Sequence, residues 1–193
     1  MITLHNIYKA YEGKTVLEDV CFSFPKGKLS IILAPSGTGK STLFRLLMGL
    51  EKPDSGKICG LENQRISVVF QEDRLLPYLD AVQNIRLPSI GKKALPTHAQ
   101  IEKSMQEIGL TACQNKTVEE LSGGMKRRVA ILRALFTPCD VLLLDEPFKG
   151  LDEATKLRTM QYVKREIEGK TTLMITHDKN EVEYMKAEQV VTL

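Results

Sequence analysis

The sequence predicts an α/β protein whose mostly parallel sheet is preceded by an antiparallel β-subdomain and interrupted by a helical subdomain. Within residues 1–28, two segments of alternating apolar and polar side chains flank the turn Glu12-Gly13-Lys14, as in paired antiparallel strands. The apolar run 29–33 continues through a glycine-rich turn into a helix-like pattern, which is how a parallel α/β core begins. The wholly apolar run 141–144 is typical of a strand buried on both faces of such a sheet.

The other elements follow from the same patterns along a chain that is long enough for one domain. Between the core segments the pattern is helical and broken by prolines, which predicts an inserted subdomain with a mobile loop at 91–97. Strands are predicted at 2–8, 16–24, 29–33, 141–144, 171–176 and 190–193. The predicted subdomains within the single domain 1–193 are the antiparallel β-subdomain 1–28, the α/β core 29–74 and 125–193, and the helical subdomain 75–124.

The stretch Ala34-Pro35-Ser36-Gly37-Thr38-Gly39-Lys40-Ser41-Thr42 predicts a cradle for a nucleoside triphosphate. Between a strand and a helix, its glycines expose backbone N–H groups to a phosphate chain at the positive end of the helix dipole. Lys40 is expected to reach the outer phosphates, and the Ser41 hydroxyl is expected to bind Mg²⁺. A glycine turn that binds nothing is the alternative.

Ala34 departs from the pattern G-x-x-x-x-G-K-[ST], in which the first position is glycine. If this position needed a positive φ, alanine would cost about 1–2 kcal/mol. In an extended backbone the cost is small. We expect the extended conformation, because Gly37 and Gly39 already supply the flexible points of the turn.

Two carboxylates end the apolar run 141–144, at the sheet edge where open α/β sheets bind their ligands. Asp145 is predicted to hold Mg²⁺, and Glu146 to polarise the water that attacks the γ-phosphate. A pair of acids at this place also occurs as a helix cap, which is the alternative interpretation.

A second anion-binding turn is predicted at Leu121-Ser122-Gly123-Gly124-Met125, where a helix begins. With the two phosphate motifs around it, this turn resembles the LSGGQ signature of the nucleotide-binding subunits of ABC transporters, which have a P-loop NTPase core. The resemblance implies that Ser122, Gly123 and Gly124 close over the ATP bound by a second copy of the chain. Met125 stands where the family usually has glutamine.

The same resemblance covers almost the whole chain and implies further site residues. Tyr11 would stack on adenine, Gln71 would sense Mg²⁺ and the attacking water, and His177 would hydrogen-bond the γ-phosphate. Asp152 lies in the loop that would pass across the dimer, where Lys149 replaces a usually small residue. A strand-edge tyrosine and a surface histidine are the alternatives for Tyr11 and His177.

The segment 70–79 resembles ATPases that serve importers of nitrate, sulfonate, taurine and related small molecules. The resemblance implies that the chain hydrolyses ATP to power transport through membrane permease subunits, with a solute-binding protein as a further partner. The apolar side chains of 75–79 would dock a short helix of the permease, because exposed apolar surface marks interfaces. Packing within the helical subdomain is the alternative.

Composition agrees with a cytoplasmic protein that is peripheral on the inner face of the membrane through its partner. No apolar stretch has the roughly 18 uncharged residues of a spanning helix. The four cysteines lack the close spacing of a zinc site, and the net charge of +3 is too small to indicate nucleic acid. The basic run Lys126-Arg127-Arg128 is interpreted as a solvated helix face.

Two other classes of function remain as alternatives. One is a nontransporter ATPase of the same fold that acts in repair, on ribosomes or in assembly. The other is a regulatory module that binds nucleotide without turnover, against which the presence of Lys40, Asp145, Glu146 and His177 argues.

Overall fold

The computed structural model describes residues 1–35, 37–89, 96–111, 113 and 116–193. They divide into two units. The first unit comprises 1–66, 139–146 and 168–193. The second comprises the described residues of 67–138 and 147–167.

The elements have the following bounds. The strands are β1 Ile2–Tyr11, β2 Lys14–Phe24, β3 Leu29–Leu33, β4 Ser55–Cys59, β5 Ile66–Val69, β6 Val141–Asp145, β7 Thr171–Thr176 and β8 Gln189–Thr192. The α-helices are α1 Lys40–Leu47, α2 Ala81–Arg86, α3 His98–Glu107, α4 Gly123–Phe136, α5 Glu153–Glu166 and α6 Lys179–Met185. Short 3₁₀ turns lie at Leu87–Ser89 and Val118–Glu120.

An antiparallel sheet in the first unit has the strand order β2-β1-β4. β1 and β2 form a hairpin whose two turn residues, Glu12 and Gly13, have φ values of 48° and 79°. Positive φ at both positions is the mark of the type I′ turn that suits the twist of paired strands. The predicted antiparallel pair is confirmed.

β4 lies in this antiparallel sheet, although the whole of 29–74 was predicted to belong to the α/β core. It pairs with β1, with Leu4 opposite Ile58. A Cβ atom at Gly56 would lie only 2.3 Å from the carbonyl oxygen of Asn6, so glycine permits the close approach of the two strands. Three of the five β4 residues are exposed, so the sequence contains no apolar run that would predict this strand.

A parallel arrangement in the same unit confirms the predicted α/β class. β6, β7, β3 and β8 neighbour one another in that order, and each neighbouring pair is parallel. β6 and β7 are buried along their whole length. Because parallel strands end at one edge, the residues after β3, β6 and β7 come together there.

The second unit packs helices around one apolar core. The buried residues of this core are Ala81, Val82, Ile85, Ile101, Met105, Ile108, Leu110, Cys113, Val118, Leu121, Val129, Leu132 and Tyr162. α4 and α5 thus share their core with helices of the predicted insertion 75–124, and the unit is larger than that insertion. Within the predicted mobile loop, residues 91–95 lie outside the described residues, while Thr97 caps α3 through its side chain.

No helix within the described residues is both long enough and apolar enough to cross a membrane.

Candidate nucleotide-binding site

The backbone at Ala34 extends β3 by one residue. Its N–H donates to the carbonyl of Thr176, 3.1 Å away, and its methyl group is buried. Ala34 is not among the residues with positive φ. The expectation that this position needs no positive φ is confirmed, and alanine causes no left-handed strain here.

The loop after Ala34 relies on two glycines in the left-handed region. Gly37 has φ 85° and Gly39 has φ 89°. Between them, the Thr38 hydroxyl donates to the Pro35 carbonyl at 2.9 Å. Gly39 is the N-cap of α1 and has no side chain, so the cap supplies no side-chain acceptor to the N–H groups of the first turn. Ser36 lies outside the described residues.

Lys40 and Glu146 form a buried ion pair at the sheet edge. Their exposed fractions are 8% and 4%, and Lys40 Nζ lies 2.6 Å from Glu146 Oε1. Lys40 also donates to the Ala34 carbonyl at 3.1 Å. Glu146 has a φ of 44°, and its N–H donates to Ile175 O on β7 at 2.9 Å. Phosphates that bind Lys40 must therefore compete with this carboxylate.

His177 reaches the same carboxylate from the end of β7. Its Nδ1 lies 3.2 Å from Glu146 Oε1, and about half of its side chain is exposed. Three of the predicted catalytic and phosphate-binding residues, Lys40, Glu146 and His177, are thus brought together around one carboxylate oxygen.

Ser41 and Asp145 offer the oxygen atoms that Mg²⁺ prefers. Asp145 is the last residue of β6 and is buried, whereas Ser41 is exposed in the first turn of α1, next to the buried Thr42. Among the described residues, no group of three or more His, Cys, Asp or Glu side chains could hold a metal ion. A hydroxyl and a carboxylate fit a Mg²⁺ ion whose other ligands are phosphate oxygens and water.

Tyr11 is the exposed last residue of β1. Its hydroxyl donates to Glu51, and the Lys9 ammonium lies 5.4 Å from the centre of its ring. Glu51 also pairs with Arg45 on α1 at 3.4 Å. Tyr11 is therefore tied to the helix that follows the phosphate loop.

The signature turn and the loop after β6 are neighbours within the second unit. Ser122 caps α4, and its hydroxyl accepts from the Met125 N–H at 3.3 Å. A Cβ atom at Gly124 would lie 3.4 Å from Leu151, so the two segments are in contact. Asp152 caps α5 through the Thr155 N–H at 3.0 Å.

Gly123 and Met125 of the signature turn have different surroundings. Gly123 is exposed, with no atom within 4 Å of a Cβ placed there, so the outer face of the turn is open. Met125 packs against the helical core instead of offering a polar group to a ligand.

Arg127 is a buried residue that the sequence interpretation missed. Its exposed fraction is 4%, so the prediction of a solvated helix face is wrong at this position. Its guanidinium donates to the carbonyls of Phe70, Gln71 and Pro147. A signal was present, because Arg127 lies three, four and seven residues before the buried Ala130, Ile131 and Ala134 of α4.

The apolar segment 75–79 is divided between the core and the surface. Leu75 packs against the helical core, as the alternative interpretation required, whereas 70% of Tyr78 is exposed. The fully buried Asn84 holds the segment in place by accepting from Leu76 N–H and donating to the carbonyl of Leu79. Tyr78 thus stands on a fixed loop.

Comparisons with known proteins agree with this geometry. The sequence profile described as ABC transporter matches residues 17–149. The chain is 38% identical over 179 residues to the aliphatic sulfonates import ATP-binding protein SsuB 1 of Pseudomonas savastanoi pv. phaseolicola, covering 92% of this chain and 74% of the relative. It is 34% identical over 206 residues to the spermidine/putrescine import ATP-binding protein PotA of Mycoplasma capricolum subsp. capricolum. That match covers 99% of this chain but only 58% of PotA.

Solved structures are similar over the whole chain. The dimeric structure of a bacterial ABC transporter cassette matches with a TM-score of 0.85 and 30% identity, covering 100% of this chain and 94% of the cassette. A post-hydrolysis state of an ATP-binding cassette bound to ADP and Pi has a TM-score of 0.86, with the same identity and coverage. The chain therefore belongs to the ABC transporter family. Within it, the chain is an ATP-binding subunit with the α/β fold of the P-loop NTPases, and the nontransporter alternative is not favoured.

Proposed function

We propose that the chain hydrolyses ATP to drive the import of a small solute through membrane permease subunits. The observation that carries this proposal is the meeting of Lys40, Glu146 and His177 at the carboxyl edge of the parallel strands. The names of the sulfonate and spermidine/putrescine relatives support import.

The predicted site residues of the first unit have the following roles in this proposal. The loop 34–42 holds the phosphates through its N–H groups and Lys40, which exchanges Glu146 for the phosphates when ATP binds. Released from Lys40, Glu146 can act as the general base toward water. His177 then hydrogen-bonds the γ-phosphate, and Tyr11 stacks on the adenine.

The proposed metal is Mg²⁺, held by Ser41, Asp145 and Gln71. It would offset the charge that accumulates on the phosphate oxygens during transfer.

The catalytic form in this proposal is a dimer with two-fold symmetry. Ser122, Gly123 and Gly124 of one copy complete the ATP site of the other, with Asp152 nearby in the loop that contacts the signature turn. The similarity to a dimeric cassette supports self-association.

We further propose that the permease docks at the exposed Tyr78 and its neighbours in the segment 75–79. The subunit then lies on the inner face of the membrane, and a solute-binding protein delivers the solute from the other side. Changing Tyr78 to a charged residue would test this contact through loss of co-purification with the permease.

Two substitutions test the chemistry. Glu146→Gln is expected to keep ATP binding and to lower the hydrolysis rate by about 10²–10⁴-fold, the usual contribution of a positioned general base. Lys40→Ala is expected to weaken ATP binding itself, because it removes a charge-assisted contact to the phosphates. Binding is measured by calorimetry and turnover by phosphate release.

The same assay defines the results that would contradict the proposal. Normal turnover by Glu146→Gln would remove Glu146 from the role of base. Unchanged ATP affinity in Lys40→Ala would contradict the phosphate cradle, and full turnover in excess chelator would contradict the Mg²⁺ site.

A further inference from the structure

Arg127 connects three segments of the second unit through one buried guanidinium. Its Nε donates to the carbonyl of Pro147 at 2.9 Å. Its Nη1 donates to the carbonyl of Phe70 and to that of Gln71, the latter at 3.3 Å. The same nitrogen pairs with the carboxylate of Asp73 at 3.2 Å.

The chemistry of these contacts requires arginine. A buried cation is costly unless acceptors surround it, and here three carbonyls and one carboxylate do so. The planar guanidinium directs donors along several fixed directions at once, whereas the ammonium of lysine is a single point at the end of a flexible chain. Lysine could not hold the Pro147 side and the Gln71 side with the same geometry.

The segments that Arg127 holds are those that carry the proposed chemistry. Gln71 is a proposed ligand of Mg²⁺ and water, and Pro147 follows directly after Glu146, the proposed base. Proline has no backbone N–H, so its carbonyl is the only backbone group of Pro147 that can form a hydrogen bond. Arg127 donates to that carbonyl. Arg127 itself lies on α4, five residues after Ser122 at the N-cap of the signature helix.

We propose that Arg127 is a positioning residue for ATP hydrolysis. It fixes the backbone at Gln71 and at Pro147, the residue after Glu146, relative to the helix of the signature turn. This inference rests on the proposed function. Arg127 does not touch the nucleotide in this account, so its loss affects the chemical step and leaves ATP binding intact.

The test compares two equal substitutions on α4. Arg127→Lys keeps the charge but not the directed donors, and it is expected to lower kcat by about 10–100-fold, because small displacements of catalytic groups have effects of this size. The dissociation constant for ATP is expected to stay near the wild-type value.

Arg133→Lys is the matched control. Arg133 also lies on α4 and donates to the same loop, but to the carbonyls of Asp73 and Arg74. This substitution is expected to lower the melting temperature while kcat stays near the wild-type value. The two hydrogen bonds that it changes go to Asp73 and Arg74, not to Gln71 or Pro147.

A second variant, Asp73→Asn, tests the inference if Arg127→Lys does not fold. Asp73→Asn removes a charged partner of Arg127 and leaves the carbonyl acceptors. A smaller loss of kcat at unchanged ATP affinity is expected.

Three results would overturn the inference. The first is a wild-type kcat in Arg127→Lys or, if that variant does not fold, in Asp73→Asn. The second is an equal loss of kcat in Arg133→Lys, and the third is a loss of ATP affinity that accounts for the lower rate. Each of these leaves the proposed function standing as long as the wild-type chain hydrolyses ATP. A wild-type chain without turnover would instead contradict the proposed function.

Discussion

Two glycines of the phosphate loop are required for different physical reasons. Gly37 has φ 85° but open space around the place of a Cβ atom. Gly39 has φ 89°, and a Cβ there would lie 2.9 Å from the carbonyl oxygen of Val16 and 2.8 Å from Leu17 Cδ2. Conformation alone restricts the first position, whereas conformation and packing against β2 both restrict the second.

Alanine substitutions separate these two effects. Gly37→Ala is expected to lower the free energy of unfolding by about 1–2 kcal/mol, the cost of a left-handed residue with a side chain. Gly39→Ala should lower it further, since the backbone at Val16 must also move. Chemical denaturation of both variants checks the order, and equal losses would show that the contact with β2 contributes nothing.

At the same scale, Lys40 and Glu146 stabilise each other as a buried ion pair. The two residues are 106 positions apart in the chain, and Lys40 Nζ lies 2.6 Å from Glu146 Oε1. Removing one partner alone leaves a buried uncompensated charge. Glu146→Gln without ATP is therefore expected to melt at a lower temperature than the same variant with ATP, because the phosphates replace the lost carboxylate beside Lys40.

At the scale of elements, an ion pair fastens the residue before β5 to the residue before β6. The Arg65 guanidinium bonds both carboxylate oxygens of Asp140, and the Arg65 backbone N–H donates to the same carboxylate. These hydrogen bonds, with a smaller contribution from the charge of Lys26, lower the pKa of Asp140 from 3.8 to about 2. In return, the Asp140 N–H donates to Arg65 O.

The depressed pKa of Asp140 gives a signed prediction. A carboxyl whose pKa is lower in the folded chain stabilises the fold above its unfolded pKa, and the effect disappears as the pH falls through the folded pKa. The difference in unfolding free energy between wild type and Asp140→Asn should therefore be largest above pH 4 and shrink between pH 4 and pH 2. Urea denaturation across this range measures it.

A variant of the partner provides the control. Arg65→Gln should reduce the same pH-dependent difference, and adding Asp140→Asn to it should change little more. A difference that stays constant from pH 5 to pH 2 would mean that the ion pair does not set the titration of Asp140.

The elements also show where sequence patterns were sufficient. β6 and β7 were predicted because strands buried on both faces must be apolar along their whole length. β4 was missed because its residues are mostly exposed, and its place is decided by hydrogen bonds to β1. For a related reason the second unit extends beyond the predicted helical subdomain 75–124, because α4 and α5 bury one face against helices from that part of the chain.

At the scale of the whole molecule, the proposed ATP site is composite, and mixing experiments test it. Lys40→Ala removes the phosphate contact, and Gly124→Asp places a negative charge in the signature turn, where it repels phosphate. Each variant alone is expected to have little activity. Mixed together, some dimers pair the intact Lys40 of one chain with the intact turn of the other, so turnover should return.

The matched control is a mixture of Gly124→Asp with the double variant that carries both changes. Every site in that mixture has a defect, so no recovery is expected. Normal turnover by Gly124→Asp alone, at concentrations where it is monomeric, would contradict the composite site.

The sequence by itself determined the family, the α/β class and the segments that are proposed to bind the phosphates. These are local properties: a glycine-rich turn between a strand and a helix, an apolar run that ends in two acids, and a capped turn are each formed by neighbouring residues. Gly37 and Gly39 could be selected because few residues adopt positive φ without cost.

Only the tertiary structure decided which distant residues meet. Pairing of Lys40 with Glu146, addition of β4 to the first sheet and burial of Arg127 each depend on groups far away in the chain. A basic run on a helix has the same local pattern whether it meets water or three backbone carbonyls. The carbonyls that accept from Arg127 come from residues 20, 56 and 57 positions away, and that distance hid the residue from the sequence interpretation.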